Sequence, residues 1–104
     1  MDPGKTVGLS ELAQPSEGSI VSRVLMKTDK GSVTLFAFDL NQALSEHTAP
    51  FDALVQVLEG SAEVTLGGKA HPVESGEAIL MPAGVPHAVK ALTPVKMLLT
   101  MIKA

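Results

Sequence analysis

The three histidines are the side chains of this chain best suited to bind a ligand or to catalyse a reaction. They are His47, His71 and His87, and no cysteine accompanies them. A chain without cysteine has no disulfide framework, no thiolate metal site and no cysteine nucleophile. Serine hydrolysis is excluded as well, because the chain lacks the string Gly-x-Ser-x-Gly between a strand and a helix. Acidic residues such as Glu59 and Glu74 flank turns, where carboxylates are normally solvated.

The elements that must position these histidines are predicted to be strands. Helical periodicity is never sustained over more than two turns, whereas β-branched and apolar runs alternate with turn residues along the chain. Short strands at such regular spacing are typical of a sandwich or a barrel, so the predicted fold class is all-β. A hairpin is also expected around Glu59-Gly60. The predicted strands cover residues 20–28, 32–40, 53–60, 61–66, 70–73, 78–81, 87–91 and 95–102.

One domain with an N-terminal arm accounts for the whole length. Residues 1–18 are rich in Gly, Pro, Ser and charge, and their LSELA segment predicts one helical turn. Residues 19–104 then form the barrel domain, and 45% hydrophobic residues suffice for an independent core. The sequence shows neither the apolar run of a secretory signal nor that of a membrane span, which predicts a cytoplasmic protein. A net charge of −3 without a basic cluster argues against nucleic acid and membranes as partners.

The strand over residues 53–60 is apolar on both of its faces. Leu54 and Leu58 alternate with Ala53, Val55 and Val57, and would be exposed if only one face were buried. The simplest cover for the second face is another copy of the chain, so a homodimer is expected. The N-terminal arm could contribute by pairing with an exposed strand edge.

A family resemblance appears in the second half of the chain. The stretch from Gly76 through Pro82 and Gly84 to His87 resembles the second sequence motif of the cupins, which runs Gly, five residues, Pro, one, Gly, two, His, three, Asn. Four of its five marked positions match, and Ala91 stands at the fifth. The turn residues agree with this reading, because they suit a turn that leads into a strand opened by a histidine. The resemblance implies a jelly-roll barrel, the double-stranded β-helix, over about residues 32–102.

The first cupin motif is depleted. Anchored on His47 and Gly60, it matches at two of five positions: Asn41 stands for its first Gly, Ala49 for its second His and Ala53 for its Glu. Asn tolerates positive φ, so the turn at Asn41 is expected to survive. In the family, the two His and the Glu of this motif join the His of the second motif to hold a divalent metal.

Only His47 and His87 remain of that ligand set. The resemblance implies that the two imidazoles face each other across the cavity mouth, less than about 6 Å apart if they share an ion. Two ligands favour a weakly held divalent transition metal, such as Zn, Fe, Ni, Mn or Cu, over a tightly bound one. Strand parity directs Glu46 and Asp52 outward, and hairpin geometry is expected to place His71 away from the pair.

The preferred function is a stand-alone small cupin that binds a small organic ligand in its barrel. His47 and His87 then supply polar contacts to the ligand, in an apolar pocket. Two alternatives stay open: a metal-dependent enzyme of the dioxygenase, isomerase or lyase type, and a structural or regulatory dimer whose cavity is filled by side chains. The residues expected to line the pocket are Ala49, Ala53, Met81 and Val89.

Overall fold

The computed structural model describes residues 1–103, and nearly all of their regular structure is β, as predicted. The single turn predicted in the arm is a 3₁₀ turn at Leu9–Glu11. None of the helices in this range is long and apolar enough to cross a membrane. The strands are β1 (Ile20–Thr28), β2 (Gly31–Phe38), β3 (Ala43–His47), β4 (Phe51–Glu59), β5 (Ser61–Leu66), β6 (Lys69–Glu74), β7 (Ala78–Met81), β8 (His87–Ala91) and β9 (Val95–Lys103).

The strands form two antiparallel sheets that pack face to face as a jelly roll. The larger sheet has the order β1-β2-β9-β4-β7, and the smaller has the order β3-β8-β5-β6. Apart from two hairpins, β1-β2 and β5-β6, chain neighbours do not pair, so the chain crosses repeatedly between the sheets. Such crossing lets the ends of distant segments meet at one end of the structure.

The space between the sheets is filled by the main apolar core. Alternate residues of β4, namely Ala53, Val55 and Val57, face inward and are at most 4% exposed. They pack with residues of both sheets, including Met97 of the larger sheet and Val64 of the smaller, which are fully buried. Burying a side chain of this size contributes about 1.5–3 kcal/mol. The interior is therefore packed with side chains over most of its depth.

The arm covers part of the outer face of the larger sheet. Leu9, Leu12 and Ala13 pack in a second apolar cluster that also contains Leu58. Polar contacts fix the arm there, since the Lys96 ammonium donates to the Ser10 carbonyl and to Gln14 Oε1. The apolar side chains of the arm lie over the face of its own sheet, and pairing of the arm with a strand edge of another copy stays a prediction. This burial explains why Leu58 is apolar.

The junction between arm and sheet is fixed by Asp39. The Gly18 amide donates to Asp39 Oδ2 at 2.7 Å. Hydrogen bonds from the amides of Gly18 and Leu40 hold the pKa of the Asp39 carboxyl below its usual value. The arm therefore meets β1 and the end of β2 in one defined geometry.

Two local predictions are corrected by the structure. No strand was predicted between residues 40 and 53, but Ala43–His47 forms β3, which lies at the edge of the smaller sheet and pairs only with β8. The hairpin expected around Glu59-Gly60 is absent from the described residues, because β4 and β5 belong to different sheets and Gly60 is the corner between them. The turn at Asn41 does have positive φ, 66°, as predicted.

Candidate functional site

His87 and His47 lie opposite each other on the paired strands β8 and β3. His87 opens β8 directly after a turn whose Gly84 has a φ of 77°, a value that favours glycine. The Gly84 amide donates to the Ala49 carbonyl at 2.9 Å, which ties this turn to the loop that follows His47. His87 is 6% exposed, whereas His47 is exposed. One imidazole is thus buried beneath another that faces solvent.

The two rings are in direct contact. His47 Nε2 and His87 Nε2 are 3.0 Å apart, and the ring centroids are 4.2 Å apart in an edge-to-face arrangement. This separation lies well within the 6 Å limit expected of a shared site. The structure therefore brings together the two histidines that the sequence motifs singled out.

The outer nitrogens of both rings are fixed by the backbone. His47 Nδ1 lies 2.8 Å from the Ser45 carbonyl oxygen, and His87 Nδ1 lies 3.2 Å from the Val85 carbonyl oxygen. A carbonyl oxygen only accepts, so both contacts are hydrogen bonds in the tautomers that carry the hydrogen on Nδ1. In the neutral rings, both Nε2 atoms are then lone-pair acceptors that face each other. A hydrogen-bond donor or a cation bound to the two Nε2 atoms would remove the repulsion between their lone pairs.

The other predicted pocket residues lie in or near the core. Ala53, Met81 and Val89 are at most 4% exposed and belong to the apolar cluster between the sheets. Ala49 is half-buried in the loop between β3 and β4. Val89 follows His87 on the same face of β8, so the apolar core begins directly below the imidazole pair.

The remaining candidate ligands lie elsewhere. His71 is on β6, separated from β8 by β5, as expected. Asp52 Oδ1 accepts a hydrogen bond from the Ala83 amide at 2.9 Å, and therefore stabilises the loop before β8. Glu46 is exposed. None of these three side chains joins the histidine pair.

The sequence over residues 35–102 matches the family model of the cupin domain. That match spans more than half of the chain. The chain belongs to the cupin family. The two motifs that carry the resemblance, around His47 and before His87, are the segments that place the imidazoles in contact.

Solved structures share this cupin's fold along its whole length. A conserved protein of unknown function from Streptococcus pyogenes is 33% identical, with a TM-score of 0.95 over 100% of this chain and 91% of that chain. A cupin superfamily protein from Desulfitobacterium hafniense is 23% identical and has a TM-score of 0.93 over 100% of this chain and 95% of that chain, which shows likeness of fold.

A cupin 2 conserved barrel domain protein from Leptotrichia buccalis is 38% identical. Its TM-score is 0.88, and the match covers 90% of this chain. The match covers 46% of the Leptotrichia chain, so this cupin spans less than half of that protein. No curated protein matches the chain.

The donor set of this cupin does not fit a tightly bound metal. Within residues 1–103, no group of three or more His, Cys, Asp or Glu side chains is placed to hold one ion. Catalytic zinc sites normally have three protein ligands, and this site offers two. Ala49 and Ala53, which stand at the depleted motif positions, have no donor atoms in their side chains. Tightly bound metal chemistry therefore has no support from these residues.

A cavity of about 270 Å³ lies at the same end of the structure as the histidine pair. The cavity and the histidine pair lie at the same end because Phe51, which lines the cavity, is the first residue of β4. Only a short loop separates it from His47, the last residue of β3. Sequence reasoning missed this cavity, since its walls come from strand ends that are far apart along the chain. Its lining residues are Lys27, Thr28, Gly31, Ser32, Phe51, Met101 and Lys103.

Proposed function

We propose that this cupin binds a small organic ligand at the mouth of its barrel, through a hydrogen-bond donor of the ligand that contacts His47 and His87. The observation that carries this proposal is the 3.0 Å contact between two Nε2 atoms whose Nδ1 partners are both backbone carbonyls. A ligand hydroxyl or N–H group supplies the hydrogen that this pair of acceptors needs. Neither histidine has another side chain as a hydrogen-bond partner among residues 1–103.

The apolar part of the ligand would rest at the barrel mouth. Ala53, Met81 and Val89 fill the interior, which supports a shallow position for the ligand. Phe51 and Met101 line the cavity at the same end and offer an apolar wall. Apolar lining with a few convergent polar groups is the usual form of a small-molecule site.

Binding can be tested with p-cresol, which has an apolar ring and one hydroxyl, and with toluene, which lacks the hydroxyl. We expect p-cresol to shift the backbone amide signals of residues near His47 and His87 in a two-dimensional NMR titration. Toluene should bind roughly tenfold more weakly, because it leaves the acceptor pair without a donor. The His47→Ala and His87→Ala variants should lose this preference, whereas the control His71→Ala should retain it. Equal binding of the two probes by the wild type would contradict the proposal.

A weakly held divalent cation is the second candidate occupant of the pair. Zinc bonds imidazole nitrogen at about 2.0–2.1 Å, so two Nε2 atoms 3.0 Å apart are close enough to bind the same ion. Water or an organic ligand would have to fill the other coordination positions. A cation held in this way should be removed by a mild chelator. Its presence would not by itself support an enzymatic function.

We further propose that a second copy of this cupin covers the part of the larger sheet that the arm leaves open. Leu80 pairs with Leu54, and Ile102 pairs with Asp52. Asp52 and Leu54 are alternate residues of β4, so the side chains of Leu80 and Ile102 lie on the same outer face of the sheet. Leu80 is 59% exposed and Ile102 is 60% exposed. Met26, on the same sheet, is 62% exposed. Apolar side chains at such exposure in one patch favour association between copies.

If this face forms the homodimer interface, charged substitutions on it should dissociate the dimer. In sedimentation experiments, the double variant Leu80→Glu/Ile102→Glu should dissociate at protein concentrations at which the wild type is dimeric. The expected loss of affinity is on the order of 100-fold, because two carboxylates would be buried at the interface. Leu92→Glu is the matched control, since Leu92 is also exposed, at 41%, but lies outside the larger sheet. A monomeric wild type, or a control that dissociates as readily, would contradict this proposal.

A further inference from the structure

We infer that the lysine-lined cavity at the same end of the structure as the histidine pair binds the carboxylate of the ligand, so that this cupin selects a small organic acid with an apolar body. The inference rests on the proposed function, because it assigns a second contact to the same ligand. It starts from the cavity lining, which contains two lysines, Lys27 and Lys103, and no acidic residue.

The positive charge of this cavity is local. The chain as a whole has a net charge of −3, with 8 basic and 11 acidic residues. Within residues 1–103, the acidic side chains that pair with lysines do so with Lys5 and Lys96, and neither Lys27 nor Lys103 forms such an ion pair. Among residues 1–103, the cavity lining carries these two ammonium groups and no carboxylate, so its charge favours a bound anion.

Hydroxyl groups add neutral donors to the same cavity. Ser32 and Thr28 both line it. Thr28 Oγ1 accepts a hydrogen bond from the Lys30 amide at 3.0 Å, which leaves the hydroxyl hydrogen free to donate. A carboxylate only accepts hydrogen bonds, and bonds from charged donors to it are roughly twice as strong as neutral ones. The polar donors of the lining therefore suit a carboxylate.

The apolar lining defines the body of the ligand. The Lys103 ammonium lies 5.6 Å from the centroid of the Phe51 ring, over its face, a cation–π position that holds the charge beside an aromatic wall. Met101 lines the same cavity. The volume of about 270 Å³ is below that of typical drug-sized sites, so the body is the size of a single ring or a short alkyl chain.

The two contacts are assigned to one ligand because both lie at the same end of the jelly roll. β3 ends at His47 and β4 begins at Phe51, and β9 ends at Lys103, which pairs with Phe51. A donor group at one end of the ligand would then meet the imidazoles while an acidic group at the other end meets the lysines. The ligand class is a small hydroxy or amino acid with an apolar body between its two polar groups.

The test compares 4-hydroxyphenylacetate with its uncharged isostere 4-hydroxyphenylacetamide, by calorimetry or NMR titration of the full chain. We expect the acid to bind the wild type roughly tenfold more tightly than the amide at low salt. The double variant Lys27→Gln/Lys103→Gln should remove this difference by weakening the binding of the acid to the level of the amide. Lys30→Gln is the matched control, because Lys30 lies in the adjoining turn and does not line the cavity. That control should keep the full preference for the acid.

The outcomes separate this inference from the proposed function. If the amide binds the wild type as tightly as the acid, the carboxylate site is refuted while ligand binding at the histidine pair stands. A preference for the acid that survives in the lysine double variant would also overturn the inference, since the anion would be held elsewhere. If neither probe binds below about 10 mM, both the inference and the proposed function fail. A urea unfolding midpoint equal to that of the wild type shows that the fold of the double variant is intact.

Discussion

Gly60→Ala is expected to lower the free energy of unfolding by about 3 kcal/mol. Gly60 has a φ of 90°, where a residue with a Cβ is strained. The added Cβ would also collide with the Pro94 carbonyl oxygen and lie 2.8 Å from Thr93 Oγ1. Thr93 Oγ1 accepts the hydrogen bond of the Ser61 amide, so a shift of Thr93 would disturb the start of β5.

Gly76→Ala separates the two contributions to this effect. Gly76 has nearly the same φ, 86°, but a Cβ there would meet no atom within 4 Å. Its cost should be about 1 kcal/mol, the strain of the backbone alone. Urea unfolding of both variants measures the difference. Equal destabilisation by the two substitutions would mean that the chain relaxes at Pro94 and that close packing at this corner contributes little.

The corner at Gly60 also shows where sequence reasoning about strands reached its limit. The strands on either side of Gly60 were predicted within two residues of their observed bounds, because their apolar alternation is regular. The hairpin between them was wrong, since a turn residue between two strands does not reveal whether those strands pair or pass to different sheets. The close approach to Pro94, which forces the corner, joins residues far apart along the chain.

The edge strand β3 was missed for a different reason. Its sequence, ALSEH, contains no β-branched residue, and four of its five side chains are exposed. β3 forms through backbone pairing with β8, and its own sequence therefore does not show the apolar alternation that predicts a strand. The histidine that β3 carries was nonetheless found, because the motif spacing from His47 to Gly60 is independent of strand propensity.

The two faces of β4 were interpreted only in part. The apolar residues on both faces correctly indicated a second cover, and the structure provides part of it from the arm, over Leu58. The arm has few apolar residues, so its packing against the sheet could not be inferred from composition. The lysine-lined cavity was equally hidden, because Lys27 and Lys103 are brought together by pairing of β1 and β9 with the strand between them.

Ala49→His is expected to raise the affinity of this cupin for Zn²⁺ on the order of 100-fold. Residue 49 stands at the depleted motif position two residues after His47, in the loop whose backbone is already tied to Gly84. A third imidazole beside two Nε2 atoms 3.0 Å apart would complete the number of protein ligands that catalytic zinc sites use. The measurement is a zinc titration in competition with a chelator.

Two further variants decide what such a gain would mean. Ala78→His adds the same imidazole at an exposed position on β7 and should leave zinc affinity unchanged. Adding His87→Ala to Ala49→His should abolish the gain, because only one of the native imidazoles would remain. If Ala49→His binds zinc no more tightly than the wild type, the side chain at position 49 does not point towards the pair. The two-histidine donor set would then reflect the path of this loop as well as the absence of the motif's second histidine and glutamate.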